Sequence, residues 1–480
     1  MFCSRLLAAA AVSALLAACS SDGGPASGPG DTGVTPTPAP TPAPTPVAGC
    51  SLSERKNWAT AQMNEWYLFP ETLPASPNPS GYSSLWEYVD SLTAMARAQG
   101  RDRYFTYVTS IREEEAYYQS GSTAAFGFRL QIDTVARRLF VTEVYENTPA
   151  ALAGFRRGSE ILAIGSSGSD LRTVVSLIDS DGEAGIWQAL GASDAGLARA
   201  IRHVTNGDTA TPMVTKREFD LPPVPQDNGV RVLEEDGRKI GYLNLRTFIS
   251  TADPALRNAF RRFRAEGIDH VIIDLRYNGG GLIRTAELLG DLLGGGRNGT
   301  DVQSYTAFRP SKSQYDETRR FQLQPESISP AKLAFIVTGD SASASEMVIN
   351  AMTPWLRENS AIIGSNTYGK PVGQIARDRA ACDDRLRIIA LQIQNADRRG
   401  DYFDGLAGRT GASCRAEDDL SHAMGSAQEA STRTAIDFLM GRSCTPVAAG
   451  SRAMSADTAQ RALLVPKRPT TAQREAPGTF

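Results

Sequence analysis

The stretch 333–374 constrains the fold most, because its pattern leaves room for little but a strand, a sharp turn, a helix, a second strand and a polar loop. Leu333-Ala334-Phe335-Ile336-Val337 is a short unbroken apolar run, of the kind that fills the middle of a sheet covered on both faces. Thr338-Gly339-Asp340-Ser341-Ala342-Ser343-Ala344-Ser345-Glu346 then crowds small side chains into a turn, and Met347, Val348, Ala351 and Met352 follow at helical spacing. A helix is therefore expected to begin near Ser343. A serine on a strand-to-helix turn stands beside backbone N–H groups that have no intrahelical acceptor, and these, with the helix dipole, favour developing negative charge. Such a position suits a nucleophile.

A serine nucleophile needs a base. The second strand, Ala361-Ile362-Ile363-Gly364, runs into Ser365-Asn366-Thr367-Tyr368-Gly369-Lys370-Pro371-Val372-Gly373-Gln374, a glycine-containing loop with one lysine. Histidine is the usual partner, but the chain has only His203, His270 and His422, none in a motif that recommends it. Lysine remains. It serves as a base when burial makes the ammonium costly enough to lose its proton near neutral pH. Each signal is weak by itself, since serine-rich turns are common and a lone lysine is usually a solvated charge.

Taken together, Ser341-Ala342-Ser343-Ala344-Ser345-Glu346 and Gly369-Lys370 with Gln374 four residues on resemble the carboxyl-terminal processing (tail-specific) protease family. Asp274-Leu275-Arg276-Tyr277-Asn278-Gly279-Gly280-Gly281, after the apolar Val271-Ile272-Ile273, also matches that family's pattern. The resemblance spans roughly 50–444. It implies Ser343 as nucleophile, Lys370 as general base and Gln374 as the residue that orients the lysine. It also implies an oxyanion hole from the N–H groups of Gly279, Gly280 and Ala344. The implied fold is α/β, a crotonase-like ββα catalytic core with an inserted PDZ-like β domain and an N-terminal helical segment. Asp274 and Arg276 are expected to fix the glycine turn and to take no part in the chemistry. The sequence departs from the family at Pro371, where many members have glycine, and at Pro354, where some have aspartate; its Ser343-to-Lys370 interval is also slightly long.

The 480 residues, 41% of them hydrophobic, are enough for two or three domains with real cores. Residues 1–18 read as a lipoprotein signal peptide: one arginine, then an apolar run too short to span a bilayer, ending in Leu16-Ala17-Ala18-Cys19. Cys19 is the expected lipidation site, followed by a Gly/Ser/Pro-rich tether over 19–49. A helical segment over 50–120 follows, with Leu85, Val89, Leu92 and Ala96 on one helical stripe. A PDZ-like domain is expected over 121–225, where 148–164 resembles a PDZ signature and Phe126, Gly127 and Phe128 fall at the loop that binds a peptide. The catalytic domain is placed at 226–445, and a polar, aperiodic, disordered tail at 446–480.

These readings give a serine endopeptidase of the bacterial cell envelope, lipid-anchored to the outer membrane and facing the periplasm. Its partners are protein or peptide substrates, engaged through free C-termini, and the membrane; a homo-oligomer is compatible with them. The net charge of −3 gives no basic field for nucleic acid. No CxxC pair or clustered histidine suggests a metal, and no cofactor is expected. Cys3 leaves with the signal peptide, so Cys50, Cys382, Cys414 and Cys444 remain for disulfides. Of the possible pairings, Cys382 with Cys414 and Cys50 with Cys444 is favoured as a hypothesis, the second joining the ends of the folded region. The competing reading is a catalytically inactive peptide- or lipid-binding protein on the same fold, such as the retinoid carriers. Retention of serine, lysine and glutamine together argues against it.

Overall fold

The computed structural model describes residues 48–448 and 461–480, so the signal peptide, Cys19 and most of the tether lie outside the described residues. A six-stranded sheet runs in the order Val230–Glu235, Arg238–Asn244, His270–Asp274, Lys332–Val337, Ser360–Gly364 and Ala412–Arg415. The first two strands form an antiparallel hairpin, and every later pairing is parallel. Parallel neighbours need crossovers, which the chain supplies with the helices Ala252–Ala265, Ile283–Leu293 and Ala344–Leu356. Strand alternation puts Val271, Ile273, Leu333, Phe335 and Ile362 on the face that packs with Phe260, Phe263, Leu289, Met347 and Val348 of those helices. Ile272, Ala334, Ile336 and Ile363 turn the other way, onto Ala435, Ile436 and Leu439 of the helix Ala430–Leu439. Both faces are buried, which is why 271–273 and 333–337 have no polar gaps. Each fully buried side chain of this size contributes about 1.5–3 kcal/mol.

A second sheet is built around the long strand Asp384–Gln394, which pairs antiparallel with Tyr107–Ser110, Val302–Phe308 and Val372–Arg379. The helices Leu52–Trp66 and Leu85–Leu92 pack on it, bringing Ala59, Met63, Leu85, Val89 and Leu92 against Val372, Leu386, Ile388 and Ile389. Its register slips between Gly373 and Gln374, where Leu391 and Ile389 are the successive partners and Ala390 has none. Such a bulge re-aims the side chains beside it.

A third, antiparallel sheet of eight strands forms a lobe with its own core, including Phe126, Phe128, Leu130, Leu139, Val141, Phe155 and Ile201. The segment 461–480 belongs to this lobe, contrary to the expected disorder. Its strand Arg461–Leu463 pairs with Phe128–Asp133, and Leu464 and Phe480 enter the lobe's core. The segment is aperiodic in sequence because its few apolar residues each meet a different preformed surface, and no single face of its own carries them.

The disulfides are Cys50–Cys382 and Cys414–Cys444, which corrects the expected pairing. Cys382 lies in the turn between Val372–Arg379 and Asp384–Gln394, against the start of the first helix, whereas Cys414 sits on the last strand of the six-stranded sheet. Cα separations of 5.5 and 5.4 Å suit the observed bridges. In the chain-entropy picture the Cys414–Cys444 bridge, with a sequence separation of 30, stabilises by about 4 kcal/mol, and Cys50–Cys382, which closes a far longer loop, by more. No helix among the described residues is long and apolar enough to cross a membrane.

Candidate active site

Of the three serines in the turn, two are engaged in holding it. Ser341 Oγ donates to the Leu275 carbonyl at 2.7 Å and accepts from the Thr338 N–H at 3.0 Å, and Ser345 Oγ donates to the Asn278 carbonyl at 3.0 Å. Both are fully buried. Ser343 between them is partly exposed and sits at the N-cap of the helix Ala344–Leu356, with φ +55°. Positive φ in a non-glycine residue is strained, and it persists here because the flanking serines pin the backbone on either side.

Glu346 joins this turn to the lysine loop. Its carboxylate accepts N–H groups from Ser343 at 3.0 Å, Gly369 at 2.6 Å and Lys370 at 2.8 Å. Burial pushes its pKa up, against those hydrogen bonds and one from Thr367. The sequence reading gave Glu346 no role. The signal was present as the Ser-x-x-Glu spacing of a capping box, whose glutamate here also reaches across to a second loop.

Lys370 Nζ donates to Gln374 Oε1 at 3.3 Å, next to the register slip, and Gln374 Nε2 donates to the Phe105 carbonyl. The ammonium lies 5.4 Å from the centre of the Phe105 ring. Burial lowers the Lys370 pKa, while the Glu475 carboxylate opposes that shift. The loop is held from outside the sheet as well, since Arg103 donates to the carbonyls of Tyr368, at 2.8 Å, and Gly369. The buried Asp102 accepts the N–H groups of Phe105 at 2.7 Å and Thr106 at 3.1 Å, shaping the segment that carries both residues. Sequence reasoning missed Asp102, Arg103 and Phe105, because nothing in a helix-like N-terminal segment marks three residues as neighbours of a loop about 270 positions away. The three histidines are occupied elsewhere: His203 stacks on Phe155, His270 pairs with Asp269 and His422 with Asp419.

The expected oxyanion donors separate. Gly279 N–H points into the site, where it donates to the Glu475 carbonyl at 2.9 Å. Ala344 is the first residue of the helix, and its N–H has no preceding intrahelical acceptor. Gly280 is corrected: its N–H donates to Asn278 Oδ1 at 3.0 Å, because the Asn278 side chain spans from there to the Leu245 carbonyl. What Gly280 supplies is space, since its φ is +124° and a Cβ there would lie 2.8 Å from Ser343 Cβ. Behind the turn, buried Arg276 donates to Asp274 at 3.0 Å and to both oxygens of Glu429 at 2.9 Å. It also reaches Asp418, whose carboxyl burial alone would raise but which Arg157 and Arg276 hold down at about 2.

The side chains of Phe126 and Phe128 are wholly buried in the lobe's core, so they line no open pocket. Their backbone faces 461–480: the N–H groups of Gly127 and Phe128 donate to the Phe480 oxygen at 2.9 and 3.3 Å. A cavity of about 490 Å³ beside the turn is lined by Lys370, Gly279, Phe105 and Tyr368 on one side and by Arg474 and Glu475 on the other.

Residues 239–397 match the family model described as peptidase family S41. A carboxyl-terminal-processing protease of Picosynechococcus is 24% identical over 257 residues, covering 52% of this chain and 55% of that protein. Carboxyl-terminal-processing peptidase 3 of Arabidopsis thaliana chloroplasts is 25% identical over 279 residues, covering 55% and 49%. The chain spans about half the length of the curated relatives it matches. A crystal structure from Bacteroides fragilis assigned to the S41 proteases shares the fold, with TM-score 0.63 and 21% identity over 80% of this chain and 97% of that one. Residues 239–397, which carry both the serine-rich turn and the lysine loop, are thus similar to peptidase family S41, and the chain is similar to carboxyl-terminal-processing proteases over about half of its length.

Proposed function

We propose that the protein is a serine endopeptidase that hydrolyses peptide bonds with Ser343 as nucleophile and Lys370 as general base. The observation that carries this reading is the single carboxylate of Glu346, bonded to the backbone N–H of both residues and so fixing the serine turn against the lysine loop. Neutral Lys370 takes the Ser343 hydroxyl proton as Oγ adds to the scissile carbonyl. The oxygen of the tetrahedral intermediate, now negative, is received by the Gly279 and Ala344 N–H groups. The C–N bond then breaks, and the lysine returns its proton to the leaving amine. Water adds to the acyl-enzyme with the same lysine as base, and the acid product and Ser343 are released. In this reading Gln374, which accepts from Nζ at 3.3 Å, orients the amine.

The eight-stranded lobe is the peptide-recognition element in this reading, a PDZ-like module whose Gly127 and Phe128 N–H groups hold a substrate backbone added to the strand Phe128–Asp133. Two disulfides support an exported location, where such bridges persist. With the lipoprotein box at Cys19, they support a lipid-anchored envelope protein. The test is hydrolysis of an unfolded protein such as reduced casein. Turnover lost in Ser343→Ala and in Lys370→Ala is the expected result, and turnover that survives Ser343→Ala overturns the assignment.

A further inference from the structure

The segment 461–480 pairs with the strand Phe128–Asp133 and also lines the cavity beside Lys370 and Gly279. Arg461–Leu463 adds antiparallel to the far half of the strand Phe128–Asp133, and the Leu464 N–H donates to the Leu130 carbonyl at 3.0 Å. The chain then leaves the strand edge and returns to the near half: Leu130 N–H donates to the Gly478 carbonyl at 2.8 Å, Phe480 N–H to the Phe128 carbonyl at 3.0 Å, and Gly127 N–H to the Phe480 oxygen at 2.9 Å. One added strand is thus made in two pieces, interrupted by an excursion over 465–477.

That excursion enters the catalytic groove. The Glu475 carbonyl accepts the Gly279 N–H, and the approach is so close that a Cβ on Gly279 would lie 2.2 Å from the Arg474 carbonyl oxygen. Glu475 Oε1 accepts from Tyr118 Oη at 2.8 Å, and the carboxylate acts electrostatically on Lys370. Five residues further on, the Phe480 ring is buried in the lobe's core. Two anchors, one at an oxyanion donor and one at the lobe, bind the same short peptide. The backbone between them is not set up for cleavage. Ala476 N–H is hydrogen-bonded to the Ala472 carbonyl at 2.8 Å, closing the helical turn Thr471–Glu475, so the nitrogen that would have to leave is tied into a helix.

We propose that the groove recognises a polypeptide with an aromatic side chain five residues beyond the carbonyl bound at Gly279, and that 461–480 is a built-in pseudosubstrate which such a polypeptide must displace. This rests on the endopeptidase reading for its consequence but on the hydrogen bonds alone for the binding. An occupant held in cis lowers the apparent affinity for a competitor by the fraction of molecules in which the groove is free.

The test uses the full chain carrying Ser343→Ala, so that nothing is cut, and a fluorescein-labelled peptide with the sequence of residues 471–480 read by anisotropy. Adding Gly478→Val, where φ is +82° and a Cβ would meet Arg129 Cγ and the Leu130 oxygen at 2.9 Å, should release the segment while leaving the core side chains unchanged. The expected result is binding at least about tenfold tighter to the released variant, lost when the peptide's phenylalanine is replaced by aspartate. Phe480→Asp in the protein releases the segment by a second route, and circular dichroism checks that both variants are folded. Equal affinity in released and unreleased folded chains overturns the proposal, as does intact-mass detection of cleavage after Glu475 in the Ser343-bearing chain but not in Ser343→Ala. Tight peptide binding by the released Ser343→Ala chain, with no casein hydrolysis by a Gly478→Val chain that retains Ser343, supports this inference and removes the endopeptidase reading.

Discussion

The two halves of the candidate dyad are built differently. Ser343 stands on a turn whose supports come from the parallel sheet itself: the Leu275 and Asn278 carbonyls, the serines on either side and the helix that follows. Lys370 stands on a loop whose outer supports come from far away in the chain, Arg103 directly and Phe105 through Gln374, with Glu346 bonded to both halves. The geometry at Ser343 is therefore nearly local, whereas the protonation of Lys370 is a property of tertiary packing. A change near Ser343 should disturb position, and a change near Lys370 should disturb pKa.

The largest effect expected is from the dyad itself: Ser343→Ala and Lys370→Ala should each lower kcat on an unfolded protein by at least about a thousandfold, as for other activated nucleophiles. Both should remain folded by circular dichroism. Glu346→Ala comes next, because it removes a carboxylate bonded to both halves and leaves three N–H groups without their acceptor. At about 1–3 kcal/mol for each unsatisfied buried group, stability should fall by about 3 kcal/mol or more, and turnover with it. Urea unfolding and kcat measured together check this; a variant of unchanged stability that loses activity would show that Glu346 acts on the chemistry alone.

Gln374→Ala should cost about tenfold in kcat, since it removes one hydrogen bond that orients the amine and leaves the base in place. The pH profile should move with it, whereas alteration of the Ser343 turn should scale the profile without moving it. The smallest effect sharpens the contrast on stability. Burial lowers the folded pKa of Lys370 below the unfolded value of about 10.4. The unfolded chain therefore binds more protons between the two values, so stability rises with pH across that window and the full penalty is felt below the folded pKa. Lys370→Met should accordingly be more stable than the parent at neutral and lower pH, with the difference shrinking as pH rises towards about 10.4. Chemical denaturation at several pH values measures it, and a difference independent of pH would argue that the amine is not desolvated.

Apolar runs at 271–273 and 333–337 and the Ser343 turn were legible in the chain because they obey short-range rules: strand periodicity, helix start signals and small residues where backbones meet. Lys370 stands on the loop expected for it, but Gln374, expected on the same loop, lies in the strand Val372–Arg379. Other features depended on which surfaces fold against one another, and no local pattern encodes that. Gly280 looked like an oxyanion donor until Asn278 took its N–H. Cys50 found Cys382 and not Cys444, because a hairpin turn of the second sheet lies against the first helix. Residues 461–480, with no periodicity to read, are ordered because the free edge of Phe128–Asp133 and the catalytic groove offer hydrogen-bond partners and apolar surface to a chain that could bury nothing by itself. Sequence alone determined the local frame, strand, turn, helix and loop. Tertiary structure decided which long-range neighbours complete it, since burial, charge proximity and edge pairing exist only once distant segments meet.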